Sequence, residues 1–160
     1  MHDQMFSETV TEIMSTMCRV SCMYLSSPHD REDAVQEALR QAWERRMQLR
    51  DENLLKTWII RILINECRNI QRRKKNTILL EECAAAAEVD AESEERMLLK
   101  SALFALPEKE RMPLVLHYIE GYSVEQTAKM LRLPAGTVKT RMRRGRELLR
   151  GILLEEVFGE

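Results

Sequence analysis

Residues 123–150, SVEQTAKMLRLPAGTVKTRMRRGRELLR, decide how this chain is read. Ser123 followed three residues later by Gln126 is a capping box, in which each side chain satisfies the other residue's exposed backbone N–H and starts a helix. The box predicts a short helix through Leu131. RLPAGT (132–137) then makes a tight turn, and Pro134, with its fixed φ, suits the start of the next helix. In that helix Val138, Met142, Gly145 and Leu149 fall on one stripe and can pack on the preceding helices. Lys139, Arg143, Arg146 and Arg150 form a second stripe, with Thr140 and Arg144 beside it. Between Val138 and Arg150 there are six bases and a single acid, Glu147. A short helix, a turn and a basic amphipathic helix make a helix-turn-helix, whose last helix fits the major groove of DNA. Long cationic side chains there reach phosphates and, through paired guanidinium donors, guanine edges. An ordinary solvated face would mix in more acids.

The rest of the chain must explain what such a reader is attached to. At 160 residues it suits one or two small domains, and 44% hydrophobic residues can fill their cores. Leu, Glu, Arg, Met and Ala dominate, while Gly and Pro are scarce, which favours helix over strand. No apolar run approaches the roughly 20 residues that span a bilayer, so no membrane insertion is expected. The N-terminus, MHDQMFSETV, lacks a basic patch followed by an apolar stretch and does not read as a secretory signal. Cysteines at 18, 22, 67 and 83 match no strong metal spacing. They are expected as reduced thiols of a cytoplasmic protein, with Cys18 and Cys22 packed as small hydrophobes. No metal or cofactor is expected. Glu32, Asp33 and Glu37 share a helix but lack converging His or carboxylate partners, so the chain is not read as an enzyme.

Net charge is only −1, but it is unevenly distributed. Residues 61–75 hold six bases (Arg61, Arg68, Arg72, Arg73, Lys74, Lys75) against Glu66 alone. Residues 136–150 hold six more against Glu147 alone, and residues 81–95 carry seven acids and no base. Two positive patches are separated by an acidic tether.

Helical spacing of Phe6, Val10, Ile13, Met14, Met17 and Tyr24 predicts a first helix over roughly 4–25. SSPHD (26–30) breaks it. Asp30 is read as the cap of a second helix reaching about Met47, with Ala34, Val35, Ala38, Leu39, Ala42 and Trp43 as its buried face. A third helix is expected from near Asn53 to about Lys75, with Trp58, Ile59, Ile62, Leu63 and Ile70 on its apolar side. Its Arg/Lys-rich last turns exceed what dipole compensation requires. Residues 76–92 sustain no amphipathic repeat and read as a flexible acidic linker. A second helical unit starts at Ser93, a capping candidate. Pro107 opens its next helix, Pro113 should bend that helix, and Gly121 should end it. The expectation is an all-α chain of two small helical domains, 1–75 and 93–160.

The two blocks together carry a resemblance. DREDAVQEALRQAWE (30–44) followed by LKTWIIRILINECRNIQRRKK (55–75) resembles region two of bacterial RNA polymerase sigma factors. ALPEKERMPLVLHYIEGYSVEQTAKMLRLPAGTVKTRMRRGRELLR (105–150) resembles region four. The match is to the compact extracytoplasmic-function (ECF) group, which has these two domains and a linker. It implies an alternative sigma factor that binds core polymerase, recognises −35 and −10 promoter elements and melts the promoter. The resemblance places Asp33, Gln36 and Glu37 against the clamp helices of the largest polymerase subunit. It sets Asn65 near the pocket for a flipped −10 base, with Arg61, Arg68, Asn69, Arg72 and Arg73 along the same single strand. Opening a duplex needs such a base-capturing site and a cationic track. Lys139, Thr140, Arg143 and Arg144 fall on the −35 element, and Thr137 and Arg141 on its phosphates. Trp58 is implied to be core packing. An anti-sigma partner is common in the family, often membrane-anchored.

Three positions depart from the family pattern: Arg132 where it has Gly in the turn, Thr127 for an aliphatic residue, and Leu55 for Phe. A left-handed Arg132 would cost about 1 kcal/mol. The competing reading is a helix-turn-helix regulator that binds duplex DNA without polymerase, which leaves residues 30–75 unexplained.

Overall fold

The computed structural model describes residues 3–75 and 93–159, and the expected linker over 76–92 lies outside them, as does Cys83. Among the described residues every secondary-structure element is a helix, with no strand, and the chain forms two compact units.

The first unit is three helices: α1 (Asp3–Tyr24), α2 (Pro28–Glu44) and α3 (Leu55–Lys75). α1 buries Phe6, Ile13, Met17, Val20 and Tyr24, the stripe that its spacing predicts, and Val10 and Met14 flank it half-buried. α3 supplies Ile59, Ile60, Leu63, Ile64, Cys67 and Ile70 to the same core. Each large apolar side chain removed from water there stabilises by about 1.5–3 kcal/mol. Lys56 pairs with Glu12, and the Gln71 amide donates to the Tyr24 carbonyl at 2.9 Å, so α1 and α3 run side by side in one direction. α2 lies against both and buries Ala34, Ala38 and Ala42 completely.

Several local expectations need correction. The cap of α2 is Ser27, whose Oγ accepts from the Asp30 N–H at 3.4 Å, and Pro28 takes the first helical position. Asp30 is instead a first-turn acid, favoured by the helix dipole and paired with Lys74 of α3. α2 stops at Glu44, followed by a 3₁₀ turn over Arg46–Gln48. Trp43 is not buried: it is 39% exposed, its ring edge on Phe6 and its face under the Arg46 guanidinium, 3.6 Å from the centroid. Val35, Leu39, Trp58 and Ile62 are half-buried. Cys18 is exposed and Cys22 half-buried, so Cys18 does not pack as a hydrophobe; only Cys67 of the described cysteines is buried. Asn53 belongs to a 3₁₀ turn (Glu52–Leu54) that precedes α3.

The second unit contains α4 (Glu94–Ala105), α5 (Glu108–Leu114), α6 (Val124–Leu131) and α7 (Ala135–Phe158). Ser93 caps α4 through Oγ to the Arg96 N–H, and Pro107 precedes the first turn of α5. Pro113, which has no N–H to give, is followed by a widened π turn over Val115–Ile119, and Gly121 ends it at φ 79°. The capping box forms as its spacing predicts: Gln126 N–H donates to Ser123 Oγ at 3.0 Å, and Ser123 N–H to Gln126 Oε1 at 2.9 Å. Arg132 sits at φ 56°, and the Leu133 N–H reaches back to the Ala128 carbonyl at 3.0 Å, the Schellman closure that needs a left-handed residue there.

α7 packs on α5 and α4 through Val138, Met142 and Gly145. A Cβ at Gly145 would lie 2.9 Å from Leu114 Cδ1 and 3.0 Å from the Glu110 carbonyl oxygen, so glycine lets α7 come this close to α5. Gly151 of the same helix has nothing within 4 Å of that position. Gly151→Ala should therefore stabilise by roughly 0.5–1 kcal/mol through helix propensity alone. Gly145→Ala should destabilise, because overpacking of about 1–3 kcal/mol outweighs the same gain. Urea unfolding of the two variants checks the opposite signs.

Candidate nucleic-acid interface

On α7 the buried stripe fixes which arc faces outward. Lys139, Thr140, Arg143 and Arg144 lie opposite Val138, Met142 and Gly145 and are exposed. None of these three cations has an ionic partner among the described residues. Thr137 and Arg141 flank that arc at one edge and are half-buried. Thr140 turns its hydroxyl back to the Gly136 carbonyl at 3.0 Å, which leaves its methyl outward-facing. Arg146 is held differently from the rest of its stripe: its guanidinium donates to the Tyr118 hydroxyl at 3.1 Å, on the π turn. The spacing of basic residues gave no signal for that contact.

On α3, Arg61, Asn65, Arg68 and Arg72 share one stripe at helical spacing, with Asn69 and Arg73 beside it. The first three and Asn69 are half-buried, and Arg72 and Arg73 are exposed near the helix end. Glu66, Asn69, Arg72 and Arg73 line a shallow surface notch. Lys74 is drawn off to Asp30, so it is not part of the free track.

α2 presents Asp33, Gln36 and Glu37 on the side away from its alanine stripe. Asp33 and Gln36 are exposed, with His29 Nε2 at 3.4 Å from Asp33 and the Gln36 amide on Glu32 at 3.2 Å. Glu37 is more confined. Arg40 holds both its oxygens, at 2.5 and 2.9 Å, and also reaches Glu44 at 2.6 Å. Gln41 adds a bond at 2.9 Å and uses the same amide nitrogen to reach Glu66 of α3 at 2.7 Å. Neither Arg40 nor Gln41 stands out as a site residue in the sequence, although E-x-x-R and R-x-x-x-E spacings on one helix do signal such pairs. Among the described residues no cluster of three metal-ligating side chains occurs, and no helix is long and apolar enough to cross a membrane.

Comparison with known proteins identifies the family of the two helical units. Residues 9–77 match the family model described as Sigma-70 region 2, and residues 96–149 that described as Sigma-70, region 4. The chain is 32% identical over 137 residues to the ECF RNA polymerase sigma factor SigM of Mycobacterium tuberculosis, covering 84% of this chain and 70% of that one. It belongs to the ECF RNA polymerase sigma factors. The RNA polymerase sigma-E factor of Streptomyces avermitilis is 31% identical over 148 residues, covering 91% and 83% of the two chains. Among solved structures, the sigma factor RpoE in its complex with the anti-sigma factor NepR from Bartonella quintana superposes with a TM-score of 0.79. It is 25% identical over 92% of this chain and 96% of that one. The protein is thus an alternative sigma factor for transcription initiation.

The α2 network has a titration consequence. Hydrogen bonds first from Arg40 and then from Gln41 hold the Glu37 carboxyl well below its usual 4.5, at about 2, and Glu37 in turn raises the Arg40 guanidinium. A depressed acid contributes stability that is present above about pH 4.5 and is lost as pH falls toward 2. Because both side chains are more than a third exposed, that contribution should stay below about 1 kcal/mol. Carbon-detected NMR should find the Glu37 carboxyl titrating below the ordinary carboxylate range. In Arg40→Met its titration should move back toward the ordinary carboxylate range.

Proposed function

We propose that the chain works as a promoter-specificity subunit with three separable surfaces. Asp33, Gln36 and Glu37 on α2 bind core RNA polymerase at the clamp helices of its largest subunit. Arg61, Asn65, Arg68, Asn69, Arg72 and Arg73 on α3 hold the non-template strand of the −10 element. Thr137, Lys139, Thr140, Arg141, Arg143 and Arg144 on α7 read the −35 duplex. Residues 1–75 act as region two and 93–160 as region four, joined by the 76–92 linker.

The observation that carries this reading is the placement of cations without ionic partners, Arg72 and Arg73 on α3 and Lys139, Arg143 and Arg144 on α7. They project from the one side of each helix that its own core does not use. Cations arranged only for solubility would be paired or spread evenly. Arg72 and Arg73 at the end of a helix suit the phosphates of a displaced strand. Asn65, half-buried between Arg61 and Arg68, offers amide donors and an acceptor to an unstacked base. Promoter melting on this account is strand capture, without a catalytic group, in the cytoplasm where polymerase works. An anti-sigma protein is a further partner by analogy with the relatives solved in such complexes.

Changing Asp33 and Glu37 together to Lys should abolish binding to core polymerase while leaving the circular dichroism spectrum unchanged. Unchanged copurification with core polymerase would refute the α2 assignment.

Along α7, position decides what a side chain touches. Lys139 and Arg144 lie in its first three turns, the part of a recognition helix that meets base edges, whereas Arg150 lies beyond them. Lys139→Ala or Arg144→Ala should cost about 1–3 kcal/mol on a matched −35 duplex and relax specificity at one position. Arg150→Ala should weaken binding alike on every duplex, with the salt slope reduced by about one at most. Titrations of holoenzyme on matched and mutated −35 duplexes across a salt series separate the two patterns. Equal loss on all duplexes for all three variants would reduce the arc to an electrostatic anchor.

A further inference from the structure

Glu66 is the one acid within the cationic run of α3, and it is 8% exposed. It lines the same notch as Asn69, Arg72 and Arg73. A carboxylate lining one notch with two guanidiniums is a candidate partner for either of them, yet neither Arg72 nor Arg73 has an ionic partner among the described residues. Glu66 is turned instead toward α2, where the Gln41 amide donates to its Oε1 at 2.7 Å. The same amide nitrogen donates its other hydrogen to Glu37 Oε1 at 2.9 Å. Gln41 is half-buried between the two helices, and the fully buried Ala38 and Ala42 on either side of it set the distance that this bridge must span.

We propose that Gln41 is a positioning residue that holds the Glu66 carboxylate on α2, and so keeps Arg72 and Arg73 free for the phosphates of the single strand. This rests on the strand-binding role proposed above for α3. A carboxylate released from Gln41 has two guanidiniums within its own notch as alternative partners, and each ion pair formed removes one cation from the track. No neutral side chain of similar length other than an amide can serve: a hydrocarbon has no donor, and an acid would add a third negative charge beside Glu37 and Glu66. Because the bridge also supports Glu37, its loss weakens the polymerase-facing carboxylate as a separate effect.

The test uses holoenzyme reconstituted from the full chain and core polymerase, with a fluorescein-labelled single-stranded DNA of mixed sequence as the probe. Gln41→Met should lower probe affinity about two- to fivefold at low salt. It should also flatten the dependence of log affinity on log salt by about 0.7 for each phosphate that is no longer neutralised. Glu66→Gln added to Gln41→Met should restore both, since a neutral amide no longer captures the guanidiniums. Restoration is the result that a merely structural role for Gln41 does not give. Gln41→Asn, which keeps the amide but shortens its reach, serves as a second variant with the same expected loss and rescue. Wild-type affinity and slope in both Gln41 variants, or a loss that Glu66→Gln leaves unrepaired, overturns the proposal. Arg72→Ala with Arg73→Ala separates the two levels of the argument. If that pair leaves probe binding unchanged, the α3 reading itself fails; if it abolishes the salt dependence while the Gln41 variants behave as wild type, only the role of Gln41 fails.

Discussion

Alanine is the smallest side chain that still favours a helix, and the close approach of α2 to α3 depends on three of them. Ala34, Ala38 and Ala42 are fully buried and one turn apart, so they form a shallow groove along α2 into which Ile and Leu side chains of α3 can settle. With α3 held this near, the polar residues that rim the groove come within hydrogen-bond reach. Gln41 meets Glu66, and Asp30 meets Lys74. A larger residue at any of the three positions would push the helices apart and break those contacts before it exposed any core. The polar bridges are thus a consequence of the apolar packing, and the orientation of the α3 cations follows from both.

An analogous constraint acts in the second unit at Gly145. There the Glu110 carbonyl and Leu114 side chain leave no space for a Cβ, and the residue that permits the contact lies on the buried stripe of the same helix that carries the cations. The rotation of α7 about its axis is therefore set by Val138, Met142 and Gly145, and the outward arc of Lys139, Thr140, Arg143 and Arg144 is what remains. In both units a stripe with small residues decides where the charged side chains point.

Much of this is legible in the sequence, for physical reasons that also explain what is not. Helical periodicity is a local property of the chain, so α1, the buried face of α3 and the capped starts at Ser93 and Ser123 can be read directly. The left-handed turn at Arg132 follows from the family pattern, which has Gly there. What escapes a local reading depends on contacts distant in sequence. Ser27 and Asp30 are both good caps, and the choice between them is settled in part by Lys74, more than forty residues away, which gives Asp30 a partner as a first-turn acid. Trp43 carries the right periodicity for burial, but α2 ends one residue later, and Arg46 covers a ring that still meets solvent. Residue type alone suggests burial for Cys18, whereas its exposure follows from its angle on α1, one position from the buried Met17. The candidate site behaves similarly: its cations are visible as a charge run, but the division into free and occupied ones is not.

That division bears on function more than the total charge does. Lys56, Lys74, Arg40 and Arg46 are engaged by Glu12, Asp30, Glu37 with Glu44, and Asp3, and pairs of this kind contribute little to stability when exposed. Their effect is to fix where a positive charge is absent. On the two proposed faces, Arg68, Arg72 and Arg73 of α3 and Lys139, Arg141, Arg143 and Arg144 of α7 have no ionic partner among the described residues. A chain of net charge −1 would have almost no average attraction for a polyanion. Attraction to such a face acts over roughly one Debye length, about 8 Å at physiological salt, and charges farther off on the surface are largely screened from it. Near neutrality overall and free cations locally are then compatible.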